Sequence, residues 1–169
     1  MQLVRRDAGV RVLACTPSSA AADYLVGRLA AAGMDSDKLY RFTAPFPHES
    51  DASEDPQTSL SHEKLLSFRA VVSICSEAGI LQDLDVPVGH FSHIVIDDAA
   101  QAEEPLVMIP IMTFCRAYTN IILAGDPNQL GPDIKSPTAA RSGLGKSYFE
   151  RLMLMRDIYG LADTQVGKP

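Results

Sequence analysis

Ile94-Val95-Ile96-Asp97-Asp98-Ala99-Ala100-Gln101 and Ile121-Ile122-Leu123-Ala124-Gly125-Asp126-Pro127-Asn128-Gln129 share one plan: an apolar run breaks off into acids and amides. Short runs rich in Val and Ile suit strands buried on both faces, as in a parallel sheet. In open sheets of that kind ligands bind beyond the carboxyl ends of the strands, so the residues after each run are the functional candidates. Asp97 and Asp98 stand where a nucleotide motor needs one carboxylate for Mg²⁺ and a second to position the attacking water. Taken alone, such an acid pair also occurs in helix caps and turns. The second run changes the balance, because Gly125, Pro127 and Pro132 shape a tight turn that leaves Gln129 to reach a phosphate, the alternative being an ordinary polar loop.

Outward from these two runs the same alternation continues. Val10 to Cys15 is a buried strand closed by Pro17, whose ring pushes the preceding residue toward extended geometry. Ser18 or Ser19 then caps a helix to about Ala32, with Ala21, Leu25 and Leu29 on a core-facing stripe and Gly33 as its stop. Leu39 to Thr43 is extended and leads into Pro45 to Ser61, a polar stretch without apolar periodicity that reads as an exposed loop with solvated acids. Ala70 to Cys75, Phe91 to Asp97 and Thr119 to Ala124 are predicted as central parallel strands. Helical stretches are predicted near Glu77 to Leu81, over Glu104 to Phe114 and over Leu144 to Tyr159. Strands alternating with helices predict an α/β fold around a parallel sheet. No repeat, low-complexity tract or second domain boundary is evident.

A chain of 169 residues that is 46% hydrophobic is large enough to bury a core as one domain. Its formal charge of −6 provides no global basic field, so any nucleic-acid contact must be local. Cys15, Cys75 and Cys115 lie among apolar residues with no C-x-x-C pair, which argues against a disulfide framework or zinc site and favours a reducing cytoplasm. His48, His62, His90 and His93 show no ligand spacing with those cysteines and read as loop or surface residues. No apolar run of about 18 residues suggests a membrane span, and no signal-like start is present.

At the level of motifs the chain resembles the superfamily 1 helicases of the nonsense-mediated-decay type and, within them, the Armitage-like RNA helicases linked to silencing. Thr16-Pro17-Ser18-Ser19-Ala20-Ala21-Ala22-Asp23 is similar to the family's A-P-S-N-x-A-A-D, and Val71 to Gly79 is similar to V-V-x-T-C-x-x-A-G. His90 to Gln101 resembles H-F-x-H-x-x-I-D-E-A-x-Q. Ala124 to Pro132 carries A-G-D-x-x-Q-L-G-P intact, and Ser136 to Gly145 with the following Phe149 to Met153 resembles the Armitage-like branch.

The resemblance implies a P-loop NTPase of RecA-like fold that uses ATP and Mg²⁺ and acts on single-stranded RNA, with DNA as the alternative and silencing or RNA-decay proteins as partners. Asp97 then holds the metal, Asp98 polarises water, Gln101 supports both, Gln129 senses the γ-phosphate, and Gly125 and Asp126 line the cofactor site. Pro17, Ser18, Ser19 and Ser73 form the implied RNA contacts. Capping remains an equal reading for Ser18 and Ser19, and packing the favoured one for Ser73.

Three departures qualify that picture. Asp98 stands where the family has Glu, drawing the carboxylate back by one methylene, and a misplacement near 1 Å can cost on the order of a hundredfold in rate. Ile74 replaces a Thr. No G-x-x-x-x-G-K-[ST] precedes Val10, and Met1 to Asp7 reads as the last turns of the helix that follows such a loop, so the chain is expected to begin partway into the first of two RecA-like domains. Ala140 to Ser147 (ARSGLGKS) satisfies a relaxed version of the pattern, but no buried strand precedes it to fix its backbone, and it is rejected. Two functions remain open: an ATP-dependent RNA helicase motor domain, and a non-catalytic RNA-binding or protein-interaction module on the same fold.

Overall fold

Each of the Val- and Ile-rich runs forms a strand, within one or two residues of its expected ends. The structure, a computed structural model, describes residues 2–44, 60–126 and 128–155. The strands are β1 (Val12–Thr16), β2 (Leu39–Arg41), β3 (Ala70–Ile74), β4 (His93–Ile96) and β5 (Asn120–Leu123). They make one all-parallel sheet in the order β2-β3-β1-β4-β5. The chain leaves β1 through α2 (Ser19–Ala31) toward one edge, and leaves β4 through α5 (Glu104–Phe114) toward the other. The direction reverses at the β1–β4 pair, and in open parallel sheets that is where the ligand crevice opens.

Strand parity sorts the core into two layers. Ala14 and Val72 face α2, packing with Ala22 and with Leu25, Val26 and Leu29. The helix stripe is thus centred on Ala22 rather than Ala21. Leu13, Cys15, Val71, Ile94 and Ile96 face the other way, against Phe91, Val107 and Phe114. Leu13, Val72 and Ile94 are each at 0% exposure, and a fully buried side chain of this size contributes about 1.5–3 kcal/mol. Both faces of the central strands are covered, which is why they read as continuous apolar runs. Edge strand β5 differs: Ile121 and Ile122, on opposite faces, are 41% and 40% exposed.

Local signals explain the helices. Ser18 Oγ accepts the Ala21 N–H at 3.2 Å and caps α2. At its end Gly33, at φ +82°, lets its own N–H reach Ala30 O (2.8 Å) and the Met34 N–H reach Leu29 O (3.1 Å), the paired bonds of a Schellman stop. The α5 bounds match the expectation, although Pro110 lies inside the helix. The expected Glu77–Leu81 helix is corrected to turns followed by a single helical turn, α4 (Ile80–Asp83). The Glu77 carboxylate there accepts the Ala44 N–H at 3.0 Å, tying two loops together. A short helix missed from sequence, α3 (His62–Ser67), is capped by Ser61 and buries Leu65. The opening helix α1 (Gln2–Arg6) is held by Arg69, which donates to Asp7 O at 2.6 Å and Val10 O at 2.7 Å. After β5 come α6 (Pro137–Ala139), a π-type turn (Ala140–Leu144) and α7 (Tyr148–Leu154). Nearly all of the acidic stretch from Pro45 to Ser61, His48 within it, Pro127 and the tail beyond residue 155 lie outside the described residues.

His90 lies in a loop, one of the two placements expected for it, and is not fully exposed. It is half-buried with its ring edge-on to Phe91, and burial lowers its pKa from 6.5 to about 4, with the charges of Arg11 and His62 adding to the effect. Unfolded His90 binds its proton near 6.5 and folded His90 near 4, so between those values the unfolded state holds more protons and stability falls as pH falls. The urea midpoint is expected to drop between about pH 7 and about pH 5, and His90→Gln to lessen that drop. An identical pH dependence in the variant would contradict this account of His90.

Candidate active site

Two loops meet beyond the carboxyl ends of β4 and β5. The Asp97 N–H donates to Cys15 O at 2.8 Å, extending the β1–β4 pairing by one residue before the chain turns. Asp98 sits at φ +54°, in the left-handed region where Asp is better tolerated than most side chains. The Gln101 N–H closes the turn onto Asp98 O at 2.9 Å, and Asp97 Oδ1 accepts the Asp98 N–H at 3.2 Å. Asp97 and Asp98 are each partly exposed.

The second loop is fixed against the first by backbone. Ala124 N–H donates to Ile96 O at 2.8 Å, and Ala99 N–H returns the bond to Ala124 O at 2.7 Å. Gly125 then passes so close that a Cβ there would lie 2.9 Å from Ala100 N and 3.2 Å from Ala99 N. Only glycine permits that approach. Asp126 Oδ1 accepts both the Asn128 N–H (2.9 Å) and the Asn128 side-chain amide (3.2 Å), an Asx turn that shapes the loop from within. The Gln129 N–H donates to Asp126 O at 3.1 Å, and the Gln129 side chain comes within 3.4 Å of the Gln101 amide. Gln101, Asn128, Gln129 and Leu130 line an open depression between the loops. The loops that follow the two strand ends singled out in the sequence are therefore in direct contact.

The third group lies at the end of β1. Ser18 caps α2, as one of its two readings required, and both Ser18 and Ser19 remain exposed with Pro17 beside them. Ser73 does not join them. Its side chain is 0% exposed and its hydroxyl donates to Ile74 O at 3.1 Å, so its placement among the RNA contacts is corrected to packing. Strand parity decides this: Ser73 pairs with Cys15 on the core-facing side. Two residues were missed from sequence. Thr16, 1% exposed, donates to Ser18 O at 2.8 Å and sets the turn. Arg41, at the end of β2, donates to Ser19 Oγ (3.0 Å) and Asp23 Oδ1 (2.8 Å), orienting the start of α2. An isolated Arg closing a short extended stretch was the one available signal. The rejected phosphate-loop lookalike at Ala140–Ser147 is helical in its first half, and Ser147, 1% exposed, caps α7 through the Glu150 N–H.

A family model described as "AAA domain" matches residues 48–137. The chain belongs to this AAA-domain family, in its superfamily 1 helicase branch. It is 37% identical to "Putative helicase mov-10-B.1" of Danio rerio, over 96% of this chain and 17% of that protein. It is 38% identical to "RNA helicase Mov10l1" of Homo sapiens, over 85% of this chain and 12% of that protein. With "Probable RNA helicase armi" of Drosophila melanogaster it shares 29% identity, over 90% and 15% respectively. The chain thus spans under a fifth of the length of these relatives. Its five-stranded parallel sheet is that of a RecA-like helicase motor domain. Among the described residues no helix is long and apolar enough to cross a membrane.

The closeness of Gly125 to Ala99 and Ala100 generates a quantitative expectation. Gly125→Ala must push the loops apart and lower unfolding free energy by about 1–3 kcal/mol. Gly27→Ala, on α2 with nothing within 4 Å of the added methyl, is expected to raise it by about 0.5–1 kcal/mol. Urea titrations of both variants check the pair, and equal effects would show that the loop contact is not restrictive.

Proposed function

We propose that this chain supplies the metal- and γ-phosphate-facing loops of an ATP-dependent RNA helicase, within the first of its two RecA-like domains. The observation that carries the reading is the contact of Gly125 with Ala99 and Ala100, which brings the Asp97–Asp98 turn and the Gln129 loop into one site. Among the described residues no three His, Cys, Asp or Glu side chains gather to hold a metal unaided. That suits Mg²⁺, which keeps several waters and takes one or two carboxylates together with phosphate oxygens. Asp97 fits the carboxylate role, having an oxygen not engaged by the Asp98 N–H. Bound Mg²⁺ would neutralise charge developing on the transferred phosphoryl group. Asp98 orients and polarises the attacking water, Gln101 braces it, and Gln129 reads the γ-phosphate, while Gly125 and Asp126 shape the cofactor-facing loop. Partly exposed Pro17 and exposed Ser18 and Ser19 receive single-stranded RNA at the start of α2, where hydroxyls and free N–H groups bind phosphate without net positive charge. RNA rather than DNA, cytoplasmic residence, and partners from RNA silencing or decay follow from the family resemblance.

The phosphate-binding loop belongs, on this reading, to a further strand of the whole protein that adds at the β5 edge. A strand there lies two spacings, roughly 10 Å, from β4, whereas one added at the β2 edge lies four spacings away. Exposed Ile121 and Ile122 support the first position. The competing reading, a non-catalytic RNA-binding or protein-interaction module, rests on the departures from the family pattern: Asp98, a methylene short of the family's Glu, Ile74 in place of a Thr, and no phosphate-binding loop in the sequence.

RNA-stimulated ATP hydrolysis by the whole protein separates the two. Asp97→Asn is expected to lower it by about a hundredfold or more. Asp98→Glu is expected to raise it while reducing stability by about 1 kcal/mol, since the longer side chain is held at positive φ. Absence of hydrolysis in both the native protein and Asp98→Glu would leave the binding module as the answer.

A further inference from the structure

We infer that the ion pair between Glu104 and Arg151 is a positioning clasp that holds the Gln129 loop against the Asp97–Asp98 turn. The inference rests on the reading of Gln129 as the γ-phosphate sensor. Glu104 opens α5, three residues after Gln101, and Arg151 lies in α7, the helix reached from Gln129 through the 131–147 segment. Arg151 Nε donates to Glu104 Oε2 at 2.8 Å and its Nη2 to Oε1, a two-pronged arrangement that fixes direction as well as distance. The guanidinium also lies 5.3 Å from the centre of the Tyr148 ring, and the Glu104 carboxylate sits in the first turn of its helix, where negative charge is favoured.

The connection back to the sensor is short. Ser147, which caps α7, is 1% exposed, and two residues before it Gly145 O lies 3.5 Å from the position of a Cβ on Gly131. The loop carrying Gln129 therefore rests on the residues that lead into α7. Two ties nearer the site cannot set the Gln129 side chain by themselves. The Ala99–Ala124 bond fixes only the root of the loop, and the exposed Gln101–Gln129 contact, at 3.4 Å, is too long to be worth much. Glu104 and Arg151 supply the outer tie, joining the helix after the metal-binding turn to the helix after the sensor loop. An ordinary surface salt bridge joining α5 to α7 would contribute to stability only.

The whole protein tests this through Arg151→Met, Arg151→Lys, Glu104→Gln and the Glu104→Gln/Arg151→Met pair. We expect Arg151→Met to lower kcat for RNA-stimulated ATP hydrolysis roughly 10- to 100-fold, with KM for ATP within about twofold. Glu104→Gln should do the same, the double variant should be no worse than either single one, and Arg151→Lys should recover part of the loss. Hydrogen exchange should quicken at residues 128–131 in Arg151→Met and stay unchanged in β4. Unchanged kcat below the unfolding temperature, additive losses in the double variant, or exchange that quickens uniformly or nowhere would overturn the clasp. If the native protein hydrolyses no ATP, the functional reading fails, and the exchange pattern at 128–131 still decides whether the clasp positions the loop.

Discussion

The site depends on one close approach. Gly125 passes with its α-carbon so near the Ala99 and Ala100 amides that no side chain fits between them, and the Ala99–Ala124 hydrogen bond at 2.7 Å locks that distance. Everything that faces the crevice hangs on this contact: the Asp97–Asp98 turn on one side, the Asx-shaped Gln129 loop on the other. Parallel pairing of β4 with β5 brings the two loops to the same end of the sheet, but pairing alone leaves loops free to diverge. The glycine holds the two loops together at their root. The reversal of chain direction at β1 and β4 adds the start of α2 at the same end of the sheet, beside the two loops.

Much of this was legible in the sequence because burial on both faces writes itself as continuous Val and Ile. Strands β1, β3, β4 and β5, the α5 bounds, the Gly33 stop and the meeting of the two acid- and amide-rich strand ends all came from short-range patterns. The failures share a cause. The family motif places Ser73 on the nucleic-acid path, yet strand parity turns it inward, and that parity depends on which residue pairs with Cys15, a fact of the sheet rather than of the segment. Arg41 and the Glu104–Arg151 pair act across 22 and 47 residues of chain, and nothing local to an arginine or a glutamate announces its partner. The Glu77 helix was misplaced for the same reason, since the carboxylate serves the Ala44 amide from a different loop.

Asp98 gains a meaning that its position in a motif did not give it. At φ +54° the backbone asks for a residue that tolerates the left-handed region, and Asp does so more readily than Glu. The shorter acid relieves the turn and withdraws the carboxylate, so local backbone preference and side-chain reach pull in opposite directions at this residue. Around it stand a partly exposed Asp97, the Gly125 to Pro132 stretch that matches the family motif, and a buried framework beneath both.

The most direct measurement is a structure of the whole protein with Mg²⁺ and a non-hydrolysable ATP analogue. The account predicts the metal on the Asp97 carboxylate, the Gln129 amide within about 3 Å of a γ-phosphate oxygen, and an additional parallel strand paired with β5. An analogue bound away from residues 97–101 and 124–132, with β5 still an open edge, would contradict it.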